Sequence, residues 1–149
     1  TAGILLLIDT TKIISENSMI WEEYGNMLSS KVLILKAFPV FVVNITKDTL
    51  DIGYGDHLPI VTEALDNKGT WRPIEEPYMY ACGTGLNRIL LPPNEIVVTS
   101  IPINKGKFKT KLRLRYGNIL SREFFGTINP TQFESEWDEN GERKPAPEG

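Results

Sequence analysis

The chain has 149 residues with a formal charge of −3, 41% hydrophobic residues, one cysteine and one histidine. That is one domain's worth of chain, apolar enough for a single core, so global disorder is excluded. A lone Cys82 and a lone His57 rule out an intramolecular disulfide and any Cys-rich or His-rich metal site, and no metal or cofactor is expected.

The chain starts with an apolar run at residues 3–8 (GILLLI), too short to span a bilayer and read as a strand or an anchoring segment. Residues 15–28 place Met19, Ile20, Tyr24, Met27 and Leu28 near helical spacing behind Ser15, Asn17 and Ser18. They fit a one- or two-turn helix or a loop, with Gly25 counting against the helix.

From Lys31 onward the pattern is β. Residues 32–35 and 40–46 are apolar and β-branched, and Pro39, which cannot donate to a ladder, marks a bulge, a kink or a change of sheet. Residues 49–52 follow as a short strand, Gly53-Tyr54-Gly55-Asp56 as a turn, and residues 57–65 as a strand. Asp66-Asn67-Lys68-Gly69 is a hairpin turn returning through residues 70–74. Residues 88–91 end at Pro92-Pro93, and residues 95–101 form a further strand.

Between residues 105 and 115 every second residue is basic: Lys105, Lys107, Lys109, Lys111, Arg113 and Arg115. Phe108, Leu112 and Leu114 fall between them. Side chains on a strand alternate between its faces, so this is a strand with a core face and an outward row of cations. Residues 121–128 return with Phe124 and Phe125. Short strands with turn signals every 8–12 residues and no long helix indicate an antiparallel sandwich or barrel.

Residues 134–149 carry Glu134, Glu136, Asp138, Glu139, Glu142 and Glu148 against Arg143 and Lys144. This acidic tail has a net charge of −4 and leaves +1 on the rest. The expected organisation is an N-terminal extension (1–30), a sandwich (31–133) and this tail (134–149).

Four segments together resemble the second half of bacterial immunoglobulin-like sandwich domains. They are Asp66-x-x-Gly69-x-Trp71, Leu91-Pro92-Pro93-x-Glu95, Gly106-x-Phe108-x-Thr110-Lys111-Leu112-Arg113, and Ser121-x-Glu123-Phe124. Small bacterial cell-envelope proteins and the intracellular proteinase inhibitor family share that arrangement. The resemblance covers residues 31–128 and implies an all-β, immunoglobulin-like antiparallel sandwich of about seven or eight strands. Asn94 stands where the family has glycine, so a turn of a different type is expected there.

The basic row is the candidate partner-binding stripe, able to meet an acidic protein, an anionic surface or lipid head groups, or simply to be a solvated face on which the acidic tail lies. Nucleic acid is the weakest option, since the chain is acidic overall and lacks a nucleic-acid-binding motif. Tyr78 and Tyr80 are candidate aromatic contacts, and Trp71 is expected in the core between the sheets. Asp56, His57 and Cys82 do not make a convincing nucleophile site, because nothing brings Cys82 to His57. Glu75/Glu76 and Glu63/Asp66 are read as solvated rather than as a glycosidase pair. Asn44-Ile45-Thr46 is formally a glycosylation sequon. No catalytic constellation emerges. The expectation is a non-enzymatic interaction or structural subunit of a larger assembly at a bacterial cell envelope, exported to the periplasm or outer membrane, with no transmembrane segment. An inhibitor-like module and a carbohydrate-binding module are the alternatives.

Overall fold

A computed structural model of the chain describes residues 3–75 and 87–134. Their strands, in chain order, are β1 (Ile4–Ile8), β2 (Ile14–Tyr24), β3 (Met27–Asn44), β4 (Leu50–Tyr54), β5 (Ile60–Leu65) and β6 (Trp71–Pro73). They continue with β7 (Arg88–Leu91), β8 (Ile96–Pro102), β9 (Phe108–Tyr116), β10 (Ile119–Leu120) and β11 (Phe124–Ile128), before a single 3-10 turn at Pro130–Phe133. In the first sheet β3 is central, with β1 and β2 end to end along one edge and β8 along the other. In the second, β9 lies between β5 and the β11/β10 edge, and β6 extends β5. All pairings are antiparallel, and β4–β7 forms a small separate pair. The fold is an all-β, antiparallel sandwich.

The alternation in β9 sets the core. Leu112, Leu114 and Tyr116 are buried, Phe108 packs against them, and the basic residues face out. From the facing sheet come Ile4, Leu6, Ile8, Val40 and Val42, all buried. Phe38 and Phe124 meet edge to face across the sandwich, with centroids 6.3 Å apart, a favoured geometry for aromatic quadrupoles. Tyr116 closes one side by donating its hydroxyl to the carbonyl of Ile52, a fully buried residue of β4.

The N-terminal segment departs from expectation. Residues 14–24 are not helical: β2 runs antiparallel to β3 in eleven consecutive pairs, from Ile14 opposite Ala37 to Tyr24 opposite Met27. Gly25, which counted against a helix, supplies the positive φ (63°) that the two-residue hairpin turn needs. β1 pairs with the other half of β3, from Ile4 opposite Asn44 to Ile8 opposite Val40. Between β1 and β2 the Asp9 carboxylate accepts hydrogen bonds from the Thr11 amide (2.9 Å) and hydroxyl (2.6 Å), closing a tight turn.

Pro39 sits at that junction. β3 continues through it with unbroken register against β8. The Pro39 carbonyl accepts from the Asp9 amide on the β1 side, and its missing N–H falls where β1 ends before β2 begins. The break therefore lies in the neighbouring strand and not in β3.

Asn94 adopts φ 60°, the left-handed conformation that glycine would supply. Asparagine tolerates that region, so the turn after Pro92-Pro93 keeps a left-handed residue and the Glu95 amide still reaches the Pro92 carbonyl.

Candidate interaction surfaces

Four of the six basic residues, Lys109, Lys111, Arg113 and Arg115, lie on the outer face of β9, as its alternation requires, whereas Lys105 and Lys107 precede the strand, which starts at Phe108, and the row is not uniform. Lys105, Lys107, Lys109 and Lys111 are exposed, whereas Arg113 and Arg115 are half-buried. The difference comes from β5. The register that pairs Glu63 with Arg113 sets its carboxylate between both arginines, 3.3 Å from Arg113 Nη2 and 2.6 Å from Arg115 Nε. Glu63 is only 5% exposed, so it is not the solvated carboxylate expected. Asp66 lies apart from it in the β5–β6 turn, accepting the Lys68 and Thr70 amides.

Trp71 is not in the core. It stands at the start of β6, and the Arg113 guanidinium stacks on its ring 4.2 Å from the centroid. The reason is parity: Trp71 is opposite Leu65, two positions from Glu63 on the same outward face, whereas its neighbour Arg72 is opposite the buried Ala64. Glu63, Arg113, Arg115 and Trp71 thus form an internally satisfied cluster, except for the buried Arg113 Nε, which has no hydrogen-bond partner among the described residues. Lys111 has a weak partner in Glu123 at 3.6 Å, both side chains about half exposed. The part of the stripe available to an anionic partner is therefore its lysine end, next to Phe125, which lies opposite Lys111 and is 70% exposed.

Tyr78, Tyr80 and Cys82 lie outside the described residues, as does the acidic tail beyond Glu134. His57 closes a turn with Tyr54 through reciprocal backbone hydrogen bonds (3.0 and 3.1 Å). Burial pushes its pKa below the ordinary value and Asp56 partly opposes this. Asn44 is fully buried: its amide donates to the carbonyls of Asp48 (2.7 Å) and Leu91 (2.9 Å), and its oxygen accepts from the Thr46 amide and hydroxyl. The formal sequon is therefore a structural knot with its nitrogen occupied.

Two surfaces were not singled out from the sequence. The first is the outer face of the β1–β3–β8 sheet. In-register rows place Leu5, Val43 and Ile96 side by side, then Leu7, Phe41 and Val98. Leu5 and Leu7 are 44% and 49% exposed, Ile96 and Val98 58% and 60%. Ile45, opposite Gly3, extends the same face, while at the other end Pro39 is buried and the Ser100 hydroxyl donates to the Glu16 carboxylate (2.6 Å), which borders the patch. Antiparallel sandwiches ordinarily turn polar residues outward. The legible signal was apolar character at both parities in residues 3–8 and 40–43, the mark of strands covered on both faces.

The second is the β2–β3 hairpin. β8 stops pairing at Pro102 opposite Ala37, so the hairpin continues beyond the sandwich as an arm. At about 3.4 Å per residue, residues 27–35 extend it by about 30 Å. Met19 stands opposite Val32, and these, Leu28 and Ile34 are all more than half exposed.

The chain matches no known family model, no curated protein and no solved structure.

Proposed function

We propose that the chain is a non-catalytic interaction or structural subunit that docks on a larger protein assembly, with the outer face of the β1–β3–β8 sheet as its contact surface. One observation carries the reading: six large apolar side chains (Leu5, Leu7, Phe41, Val43, Ile96, Val98) stand outward in two register-matched rows, with no charge among them. Contiguous exposed apolar patches on soluble proteins mark interaction sites. Fully burying one such side chain is worth about 1.5–3 kcal/mol, so a partner that covers both rows gains several kcal/mol before association costs.

The lysine end of the stripe is a second contact, suited to an acidic protein surface or anionic lipid head groups. Its charges are exposed and screened by salt, so it steers association and adds little affinity. A place at a bacterial cell envelope follows from the resemblance to envelope immunoglobulin-like domains and is part of the proposal.

The test is co-purification from the native source with wild-type chain and a Val43→Lys/Val98→Lys variant whose fold is verified by circular dichroism. The wild type should retain a stoichiometric protein partner and the variant should lose it. A wild type that recovers no partner, or a variant that recovers the same one, overturns the reading.

A further inference from the structure

The acidic tail leaves the body at the foot of the lysine row. The 3-10 turn that precedes it is fastened on two sides. Gln132 Nε2 donates to Asn104 Oδ1 over 3.1 Å, and Arg72 Nη2 donates to the Phe133 carbonyl over 3.1 Å with its guanidinium 5.0 Å from the Phe133 ring centroid. Asn104 immediately precedes Lys105. Gly106 donates its amide to Thr127 Oγ1 and lies so close to the Ile128 backbone that a Cβ there would collide with it. Lys105 and Lys107 therefore flank the point where β11 gives way to the turn, and Glu134, exposed, begins the tail there.

The lysines at this end lack answering charges. Lys105, Lys107 and Lys109 have no carboxylate partner among the described residues, and Lys111 has only its half-solvated contact with Glu123. β11 offers them Phe125 and Thr127, neither of them charged. The exposed arginines elsewhere are already engaged: Arg72 by Asp66, Arg88 by Asp51, and Arg122 by the oxygens of Ile8 and Thr10.

The tail carries the complementary pattern. Glu134, Glu136, Asp138 and Glu142 fall on alternate positions, interrupted only by Asn140. In an extended segment they share one face and repeat about every 6.8 Å, as the lysines do. Glu136 to Glu142 and Lys105 to Lys111 cover equal lengths, about 20 Å. We infer that residues 136–142 lie as an extended segment along the lysine end of the stripe, with the even-numbered carboxylates against Lys105, Lys107, Lys109 and Lys111.

Tethering selects this occupant over a free anion. Each exposed pair is weak and screened by salt. A segment joined to the body a few residues from its site, however, acts at an effective concentration of the order of mM, which a free acidic peptide or lipid head group must exceed to displace it. An anionic partner then reaches the lysine end only by displacing the tail. That consequence rests on the second contact proposed above, whereas the tail contact itself does not.

A nitroxide on Gly141→Cys, in a Cys82→Ser background of the full chain, tests this at low salt. It should broaden the amide resonances of residues 107–111 and of Thr127 while sparing Lys31 and Lys47, and high salt should abolish the effect. Lys107→Glu/Lys109→Glu should lose the broadening, and adding Glu136→Lys/Asp138→Lys should restore it. Carbodiimide coupling of unmodified wild type gives an independent reading: amide crosslinks from Glu136, Asp138 or Glu142 should map to the stripe lysines in preference to Lys31 and Lys47. Broadening spread evenly over the surface, its survival in Lys107→Glu/Lys109→Glu, or equal coupling at Lys31 and Lys47 overturns the inference. Phosphatidylglycerol vesicles should reverse the broadening; if they leave it unchanged, the anionic partner falls and the tail contact stands.

Discussion

Arg115 Nε donates to Glu63 Oε1 over 2.6 Å, and that carboxylate is shared with Arg113, so one buried anion anchors two of the four cations on β9. Taking charges out of water is costly and is repaid only while their partners are present. Glu63→Ala leaves two arginines side by side against Trp71 without a counter-charge. The expected loss is about 3 kcal/mol, the bottom of the range for breaking a buried pair because Arg115 is partly solvated. Urea denaturation checks this. Replacing Glu63, Arg113 and Arg115 together by apolar residues of similar size should cost much less than Glu63→Ala.

The lysine end should behave in the opposite way. Lys107, Lys109 and Lys111 are exposed, and Lys111–Glu123 is a half-solvated pair. Replacing all three by Ser should move stability by no more than about 0.5 kcal/mol. If this end meets an anionic partner, the same variant should lose salt-sensitive binding to anionic vesicles or to the co-purified protein. A large fall in melting temperature would mean that these lysines hold structure together.

These two halves show what a sequence discloses. The alternation in residues 105–115 is local, so the strand, its core face and its outward cations could be read directly, as could the Asp66–Gly69 turn, with its Gly69 amide to Asp66 carbonyl bond. The burial of Glu63 could not. It depends on which residue of β5 stands opposite Arg113, a register set by strands fifty residues apart. Trp71 was misplaced for the same reason, since its face is fixed by pairing with Leu65. β2 was missed because its apolar residues mimic helical spacing and its strand character comes from pairing with β3. The outer apolar face became visible only when three strands were aligned, although each contributed an apolar run.

His57 supplies a pH signature. Its pKa is lowered by burial, with Asp56 acting in the opposite direction. The folded chain therefore binds a proton less readily than the unfolded chain, whose histidine titrates near 6.5. The corresponding stability is complete above the unfolded value and is lost as pH falls through the folded one. The denaturation midpoint should be lower at pH 5 than at pH 7.5, and His57→Gln should shrink that difference. An unchanged difference would assign the acid sensitivity to carboxylates.

Asn44 gives the last prediction. It is fully buried, and its side chain ties β3 to the Asp48 turn and to the end of β7 at Leu91 while accepting twice from Thr46. A glycosylation enzyme needs a free amide in an extended, accessible segment, and here both amide hydrogens are committed. Expression through a eukaryotic secretory pathway should yield folded protein with no glycan mass at this site. Asn44→Asp would set carboxylate oxygens against the Asp48 and Leu91 carbonyls, leaving buried acceptors unpaired at about 1–3 kcal/mol each. It should therefore destabilise by several kcal/mol, more than Thr46→Val, which removes the hydroxyl but keeps the Thr46 amide bond. A glycan on folded wild type, or an Asp variant as stable as wild type, would show that this knot is not closed in solution.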